Sequence, residues 1–175
     1  GLAKDRNISF KFEKKVEHLT MWLDSKKIES AVNNLLSNAF KYTGNGGEIS
    51  LKTGKVSYDG LEYCMIEVSD NGSGIPDDMQ EKIFESFITW NNMPAFSTKI
   101  GVGLPIVKNI VNLHHGKINL ESVVGKGSVF TILLPIGKEY FKADEFELVP
   151  SASNGETIEF KPTAKERKTQ TDTLL

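Results

Sequence analysis

Four residues whose side chains can bind metal or phosphate lie at helical spacing between positions 34 and 42. Asn34, Asn38, Lys41 and Tyr42 fall on one side of a helix, beside an apolar stripe. Amide oxygens suit Mg²⁺, which prefers oxygen ligands and keeps waters and phosphate oxygens in its shell. A lysine one turn on supplies a positive charge for phosphate. An ordinary solvated helix face can show the same pattern, so the motif alone decides nothing.

A second group of residues follows an apolar run. Asp70 ends that run, and Gly72, Gly74 and Ile75 follow in a glycine-rich bend. The sequence also fits a simple turn. An ionised carboxylate only accepts hydrogen bonds, so it can pair with the exocyclic amine of adenine but would repel the carbonyl of guanine. Glycines let a flat base approach the backbone.

A third group lies where a long aperiodic stretch meets a helix. Gly101 and Gly103 free backbone N–H groups to turn inward, and the helix N-terminus adds partial positive charge for phosphate. A dinucleotide-binding fold is the rival interpretation. It requires a strand directly before the glycines and a third glycine, whereas Pro105 follows here and the preceding segment reads as a loop.

These groups need helices and strands to position them. Asp24 or Ser25 is expected to cap a long helix that ends before Gly44, and Pro76 and Pro105 suit the first turns of two further helices. The third helix is expected to run to His114 and to stop at Gly116. Alternation or apolar runs predict six strands, near residues 7–12, 18–23, 48–57, 61–70, 117–122 and 128–134.

Size and composition favour one globular domain. The 175 residues are 39% hydrophobic and 25% charged, and the net charge of −2 gives no electrostatic case for nucleic acid. Cys64 is the only cysteine in the sequence, so no intramolecular disulfide can form. We expect Cys64 to be buried in a strand. Interspersed strands and helices with few crossovers predict a two-layer α/β (α+β) sandwich whose sheet is mixed and mostly antiparallel, with helices on one face.

The order of the motifs resembles that of one protein family. Asn34–Thr43 is similar to the N box of sensor histidine kinases, and Asp70–Ile75 resembles their first glycine box. Ile83–Phe87 resembles the F box, Gly101–Leu104 the second glycine box and Gly125–Phe130 the third. The resemblance implies the Bergerat fold and an ATP-binding protein-histidine kinase domain.

The resemblance also implies roles for individual residues. Asn38 would bind Mg²⁺, Lys41 would contact phosphate, Tyr42 would face the base or ribose, and Asp70 would bind adenine. Asn34 and Lys41 would be the catalytic residues. The other implied ATP contacts lie in the glycine boxes, the F box and the loop between them: Gly72, Gly74, Ile75, Phe84, Phe87, Lys99, Gly101, Val102, Gly103, Leu104, Gly127 and Ser128.

Asn34 discriminates between reaction classes. Chaperone, gyrase and mismatch-repair ATPases of this fold carry a glutamate at the matching position, where it activates water. An amide cannot act as that base, which favours keeping the γ-phosphate for transfer to histidine. A Bergerat-fold ATPase or serine kinase, and a degenerate module that signals by docking, are the alternatives. The second is suggested by Lys99-Ile100, where the family usually has Gly-Thr.

The acceptor histidine is expected outside this chain. His18 falls on a predicted strand, and His114 and His115 end a helix, where an imidazole faces the helix dipole and a structural role is expected. The implied partners are the protein's own dimerisation and histidine-phosphotransfer helices, in a homodimer, and a response-regulator receiver domain. No nucleic-acid partner is expected.

Three segments are predicted along the chain. Residues 1–6 read as the end of a dimerisation helix or a cloning remnant, and residues 7–136 as the catalytic domain. Residues 137–175 read as a polar linker, with a receiver domain as the candidate that follows it. No stretch is long and apolar enough to span a bilayer, so we expect a cytoplasmic domain whose full-length protein is anchored in the inner membrane by segments outside it.

Overall fold

The structure is a computed structural model, and it describes residues 7–16, 18–85, 103–142, 146–150 and 158–162. Three α-helices are described: α1 (Ser25–Tyr42), α2 (Asp77–Gln80) and α3 (Gly103–Leu113). Single 3₁₀ turns cover Lys82–Phe84 and Lys138–Tyr140. The strands are β1 (Ser9–Lys14), β2 (Glu48–Tyr58), β3 (Leu61–Asp70), β4 (Lys117–Val123), β5 (Gly127–Pro135), β6 (Phe146–Pro150) and β7 (Ile158–Pro162).

The first five strands form one mixed sheet in the order β1-β2-β3-β5-β4. β1 runs parallel to β2, and the other three pairs are antiparallel. Leu51, Val68, Phe130 and Leu120 lie directly opposite one another on neighbouring strands. Such residues share a face, and this face belongs to the core cluster that the helices cover. The predicted two-layer fold is confirmed.

Helix α1 forms where the sequence predicts it. The Asp24 carboxylate accepts the Lys27 backbone N–H at 3.0 Å and so satisfies one free donor of the first turn. Ile28, Leu35 and Ala39 are buried on its inner face. Truncating Leu35, which is fully buried, to alanine would cost about 2–5 kcal/mol of stability.

The β2–β3 hairpin is set by its turn residues. Asp59 and Gly60 have φ angles of 53° and 76°, which is the two-residue geometry that matches strand twist. The two strands then pair without interruption from Tyr58–Leu61 to Ile49–Asp70. This register delivers Asp70 to the end of the sheet. Cys64 lies on β3, as expected, and is partly buried.

The strand predicted at residues 18–23 is absent. The segment from His18 to Asp24 has no ladder, and Met21 and Leu23 pack against the core on the way into α1. The alternating pattern therefore reports one-sided burial rather than strand pairing. The prediction that His18 lies on a strand is wrong.

Two helix ends differ from prediction by a residue. Pro76 is the N-cap of α2 rather than its first helical residue. After α3, the left-handed residue is His115, with φ 52°, and not Gly116. The Gly116 N–H donates to the Val111 carbonyl at 2.9 Å, and the His115 N–H to Asn112 at 3.0 Å, which is the Schellman pattern.

The segment after Gly137 contains regular structure that the sequence did not predict. Strands β6 and β7 pair antiparallel as a separate two-stranded sheet. No strand was predicted in residues 137–175, so β6 and β7 add regular structure to the segment predicted as a polar linker. In the described ranges, no helix has the length and apolarity needed to cross a membrane.

Candidate active site

The polar face of α1 points toward the start of α3. Asn34 Nδ2 donates to the Ser30 carbonyl at 2.8 Å. A Cβ added at Gly103 would lie 2.8 Å from Asn34 Oδ1, closer than real Cβ contacts. The glycine thus allows Asn34 to lie against the first turn of α3, where backbone N–H groups lack helical partners. The N box and the described part of the second glycine box meet here.

The end of α1 is joined to the first glycine box. The Ser73 N–H donates to the Tyr42 carbonyl at 3.2 Å, and a Cβ at Gly72 would lie 2.5 Å from the same oxygen. Asp70 Oδ1 accepts the Gly72 N–H at 2.8 Å. A short Asx-type turn therefore holds the carboxylate and the helix end next to each other.

Asp70 is a half-buried carboxylate that has no cation beside it among the described residues. Burial raises its pKa, and the backbone N–H groups of Gly72 and Ser128 oppose that shift only in part. Of the four ion pairs among the described residues, none includes Asp70. A desolvated acceptor that no described cation neutralises is suited to a ligand N–H donor.

The third glycine box packs on the first. Gly127 has φ 109°, a conformation open to glycine, and its Cα lies directly against the carbonyl of Asp70. The Gly125 N–H donates to the Ser73 carbonyl at 2.8 Å. Gly74 in turn lies against the carbonyl of Val123. These contacts with the β4–β5 turn fix the position of the glycine-rich bend that follows Asp70.

Lys41 and Tyr42 differ in their exposure. Lys41 is exposed, with its Nζ 5.3 Å from the centroid of the Tyr42 ring. Tyr42 is half-buried, and burial raises its pKa to about 12. The phenol therefore stays protonated at neutral pH.

The described part of the F box packs into the core. Ile83 is buried, and the Phe84 ring meets the Phe130 ring edge-on at 6.3 Å. Lys108 Nζ lies 5.9 Å from the Phe84 centroid. Leu104 and Ile75 pack against the same core. The remaining predicted site residues lie outside the described residues: Phe87, Lys99, Gly101 and Val102.

A protein-family comparison identifies the domain. Residues 23–138 match the family model described as histidine kinase-, DNA gyrase B- and HSP90-like ATPase. The chain belongs to this family. Histidine kinase P4 of Formosa agariphila is 36% identical over 147 residues, which cover 82% of this chain and 10% of that protein. Sensor histidine kinase TmoS of Ectopseudomonas mendocina is 38% identical over 137 residues, covering 78% of this chain and 14% of that protein.

Solved histidine-kinase structures share this ATPase-family fold. The catalytic domain of histidine kinase ThkA superposes with a TM-score of 0.65 at 30% identity, over 77% of this chain and 84% of that one. Mycobacterial sensor histidine kinase MprB gives 0.63 at 26% identity, over 77% and 87%. The chain is thus a catalytic domain of the histidine-kinase type. It spans only a small part of the curated relatives.

The sequence did not predict how His114 joins two elements of this ATPase-family domain. Its side chain is 1% exposed, its Nε2 accepts the Asp24 backbone N–H at 2.9 Å, and its Nδ1 lies 2.8 Å from the Ile110 carbonyl. The imidazole is therefore neutral, with its proton on Nδ1. Burial lowers the pKa of His114, and the hydrogen bonds of its two ring nitrogens confirm the expected structural role.

A second missed residue is Ser122, whose hydroxyl contacts the first and third glycine boxes. It accepts the Ile75 N–H at 2.8 Å and lies within hydrogen-bond distance of Gly127 and Ser128. The signal in the sequence was weak, because two serines six positions apart become neighbours only if the intervening turn sets the register.

A depression of about 550 Å³ lies mainly on the other face of the sheet of this ATPase-family domain. Its lining includes Ser50, Ser69 and Val129, which alternate with core residues, and the charged Lys11 and Glu121. Its polar floor is what a solvated sheet face presents. Asp70, Gly127 and Ser128 also line it, so the depression reaches the edge of the sheet where these predicted ATP contacts lie.

Proposed function

We propose that this domain binds Mg-ATP and donates the γ-phosphoryl group to a histidine on a separate dimerisation helix. The observation that carries the proposal is Asp70, a half-buried acceptor where α1 and two glycine boxes meet and where no described residue supplies a cation. It stands in a chain of the ATPase family whose relatives include sensor histidine kinases.

The adenine end of the proposed site is built from acceptors and close backbone. Asp70 accepts the exocyclic amine of the base, which a 6-oxo base does not offer. Gly72 and Gly74 lack side chains, so the base can approach the backbone of this turn closely. Ile75, which packs against the core, supplies an apolar contact beside it. Tyr42, protonated and half-buried, lies at the α1 end of the same turn and is proposed to face the base or ribose.

The phosphate end lies along α1 toward α3. Asn38, one turn beyond Asn34, offers an amide oxygen of the kind that Mg²⁺ accepts, and the ion would neutralise charge on the phosphates. The first N–H groups of α3 at Gly103 and Leu104 bind phosphate oxygens, and exposed Lys41 contacts them through its ammonium. Lys99, Gly101, Val102 and the phenylalanines at 84 and 87 remain predicted contacts.

Asn34 shapes the reaction class. Its Nδ2 is committed to the Ser30 carbonyl, and an amide oxygen cannot take a proton from water. The domain therefore retains the γ-phosphoryl group until an acceptor arrives. His114 is not that acceptor, because it is buried with both ring nitrogens engaged.

The proposed partners follow from this chemistry. The acceptor histidine lies on a dimerisation helix, the full-length protein is a homodimer, and the phosphoryl group passes on to a response-regulator receiver domain. ThkA has been solved in complex with a response-regulator protein, TrrA. We place the domain in the cytoplasm, with its full-length protein held at the inner membrane.

Calorimetry with Mg-ATP tests the binding half of the proposal. We expect saturable binding by the wild type and loss of binding in Asp70→Ala, because the variant lacks the acceptor for the adenine amine. Ser69→Ala is the matched control, since Ser69 precedes Asp70 on β3 but lies on the opposite face. Equal ATP affinity in wild type and Asp70→Ala would show that the site is misplaced.

A further inference from the structure

Ser122 makes three side-chain hydrogen bonds beside the proposed adenine site. Its Oγ accepts the Ile75 N–H at 2.8 Å, lies 3.0 Å from the Gly127 carbonyl and lies 2.9 Å from Ser128 Oγ. Ser122 is on β4, outside the motifs that predicted the site. Its hydroxyl nevertheless touches the first and third glycine boxes at once.

Counting protons fixes the direction of each bond. A hydroxyl has one proton to donate and two lone pairs to accept with. The Gly127 carbonyl only accepts, so it receives the proton of Ser122. The Ile75 N–H takes one lone pair of Ser122 Oγ. The contact with Ser128 can then be made only if Ser128 donates its own proton to Ser122.

This direction leaves Ser128 as an acceptor next to Asp70. Asp70, Ser128 and Ser122 lie directly opposite one another on β3, β5 and β4, so their side chains share the helix-covered face of the sheet. Ser128 is 6% exposed, and its proton is already used. Its two lone pairs and the Asp70 carboxylate can then accept donors from a ligand.

We infer that Ser122 is a positioning residue for base selection: by taking the proton of Ser128, it makes Ser128 a second acceptor beside Asp70. The site then favours a base with a 6-amino group and disfavours a 6-oxo base. This inference rests on the proposed ATP site. It assigns the selection of the base to two acceptors, Asp70 and Ser128, and it assigns the orientation of Ser128 to Ser122, which does not touch the base.

The Gln80 side chain also links Ser122 to the first glycine box, which supports a positioning role for Ser122. Gln80 Nε2 donates to the Ile75 carbonyl at 3.1 Å and to the Ser122 carbonyl at 3.0 Å. The Ile75 N–H is bound to Ser122 Oγ, so both backbone polar groups of Ile75 take part in the connection between the first glycine box and β4. The Ser122 hydroxyl therefore fixes both the proton of Ser128 and the position of the turn that carries Asp70.

The test compares Mg-ATP with Mg-ITP, whose base carries a 6-oxo group, by calorimetry. In Ser122→Ala, Ser128 becomes free to rotate and to donate to a 6-oxo group. We expect the ATP-over-ITP preference to fall about tenfold. Ser122→Thr keeps the hydroxyl and should restore it. Adding Ser122→Ala to Ser128→Ala should not lower the preference further, because Ser122 acts through Ser128.

Controls separate this inference from misfolding and from the proposed function. Ser69→Ala, on the opposite face, should keep the preference, and thermal unfolding should show that each variant folds. An unchanged preference in Ser122→Ala, or independent effects of the two serines, would overturn the inference. Absence of ATP binding by the wild type would instead overturn the proposed function and this inference together.

Discussion

At the scale of single residues, the Asp70 carboxylate lowers the stability of the unligated fold and is the proposed acceptor for a ligand. Burial raises its folded pKa above the unfolded value. A group shifted in this direction contributes stability below its unfolded pKa of about 3.9 and loses that contribution as the pH rises through its folded pKa. At neutral pH, the ionised carboxylate therefore destabilises the unligated domain, and a hydrogen-bonding ligand offsets this cost.

The first prediction concerns Asp70→Asn. The amide keeps an oxygen for the Gly72 N–H but removes the desolvated charge. We expect the melting temperature of the unligated variant at pH 7 to equal or exceed that of the wild type, while ATP affinity falls by at least about 100-fold. Scanning calorimetry and titration calorimetry measure the two quantities. A less stable variant that still binds ATP normally would contradict this account of Asp70.

The second prediction concerns Asn34→Glu. A carboxylate at this position can accept a proton from water, and general-base catalysis of this kind typically raises a rate by about 10²–10⁴-fold. We expect steady ATP hydrolysis by the isolated domain to rise by at least about tenfold, measured as released phosphate. Asn34→Gln is the matched control, because it lengthens the side chain without adding a base. Equal hydrolysis by the Glu and Gln variants would argue against the role given to Asn34.

At the scale of elements, His114 couples the start of α1 to the end of α3. Both helices carry predicted ATP contacts, so their relative position bears on the site. The groups that face His114 are Asp24, which raises its pKa, and Lys27 and His115, which lower it, but burial is the largest influence. Protonation would remove the acceptor for the Asp24 backbone N–H.

The third prediction follows from the lowered pKa of His114. When a folded pKa lies below the unfolded value of about 6.5, the unfolded state binds the proton first, so stability is full above pH 6.5 and falls below it. We expect the unfolding free energy from urea titrations to fall between pH 7 and pH 5. In His114→Gln this slope should flatten, whereas His18→Gln, at an exposed position, should keep it. Equal slopes in all three proteins would contradict the neutral, buried assignment.

Elements were predictable where a local rule decides them. Helix α1 carries its own cap at Asp24, and the β2–β3 hairpin carries Asp59-Gly60 at its turn. The left-handed residue after α3 was not predictable. A Cβ at Gly116 would lie 2.6 Å from the Leu133 carbonyl, so packing requires glycine there and leaves His115 in the strained conformation.

The site was predictable in its residue types but not in all of its connections. The approach of Asn34 to Gly103 and of Asp70 to Tyr42 joins motifs whose order had already indicated a common site. The contacts of Ser122 depend on strand register and on the position of a distant turn, which no local pattern encodes. Their absence from the sequence-based site therefore has a physical reason.

At the scale of the whole molecule, the sheet separates two surfaces. One face packs α1 and α3 over the core, and the predicted ATP contacts gather at its end. The other face carries the Lys52–Glu67 pair, and on it Met65 lies opposite Leu133, which is buried. This layout leaves the proposed phosphate end near the first turn of α3, where we expect an acceptor from another domain to approach.

The central claim, phosphotransfer to histidine, is tested by joining a histidine-bearing dimerisation domain ahead of Asn7 and adding Mg-ATP labelled at the γ-phosphate. We predict protein-bound label that survives alkali and is lost in acid, as a phosphohistidine is, and that disappears in Asp70→Asn. Conversion of ATP to free phosphate without any such label, or label that survives acid, would contradict the account.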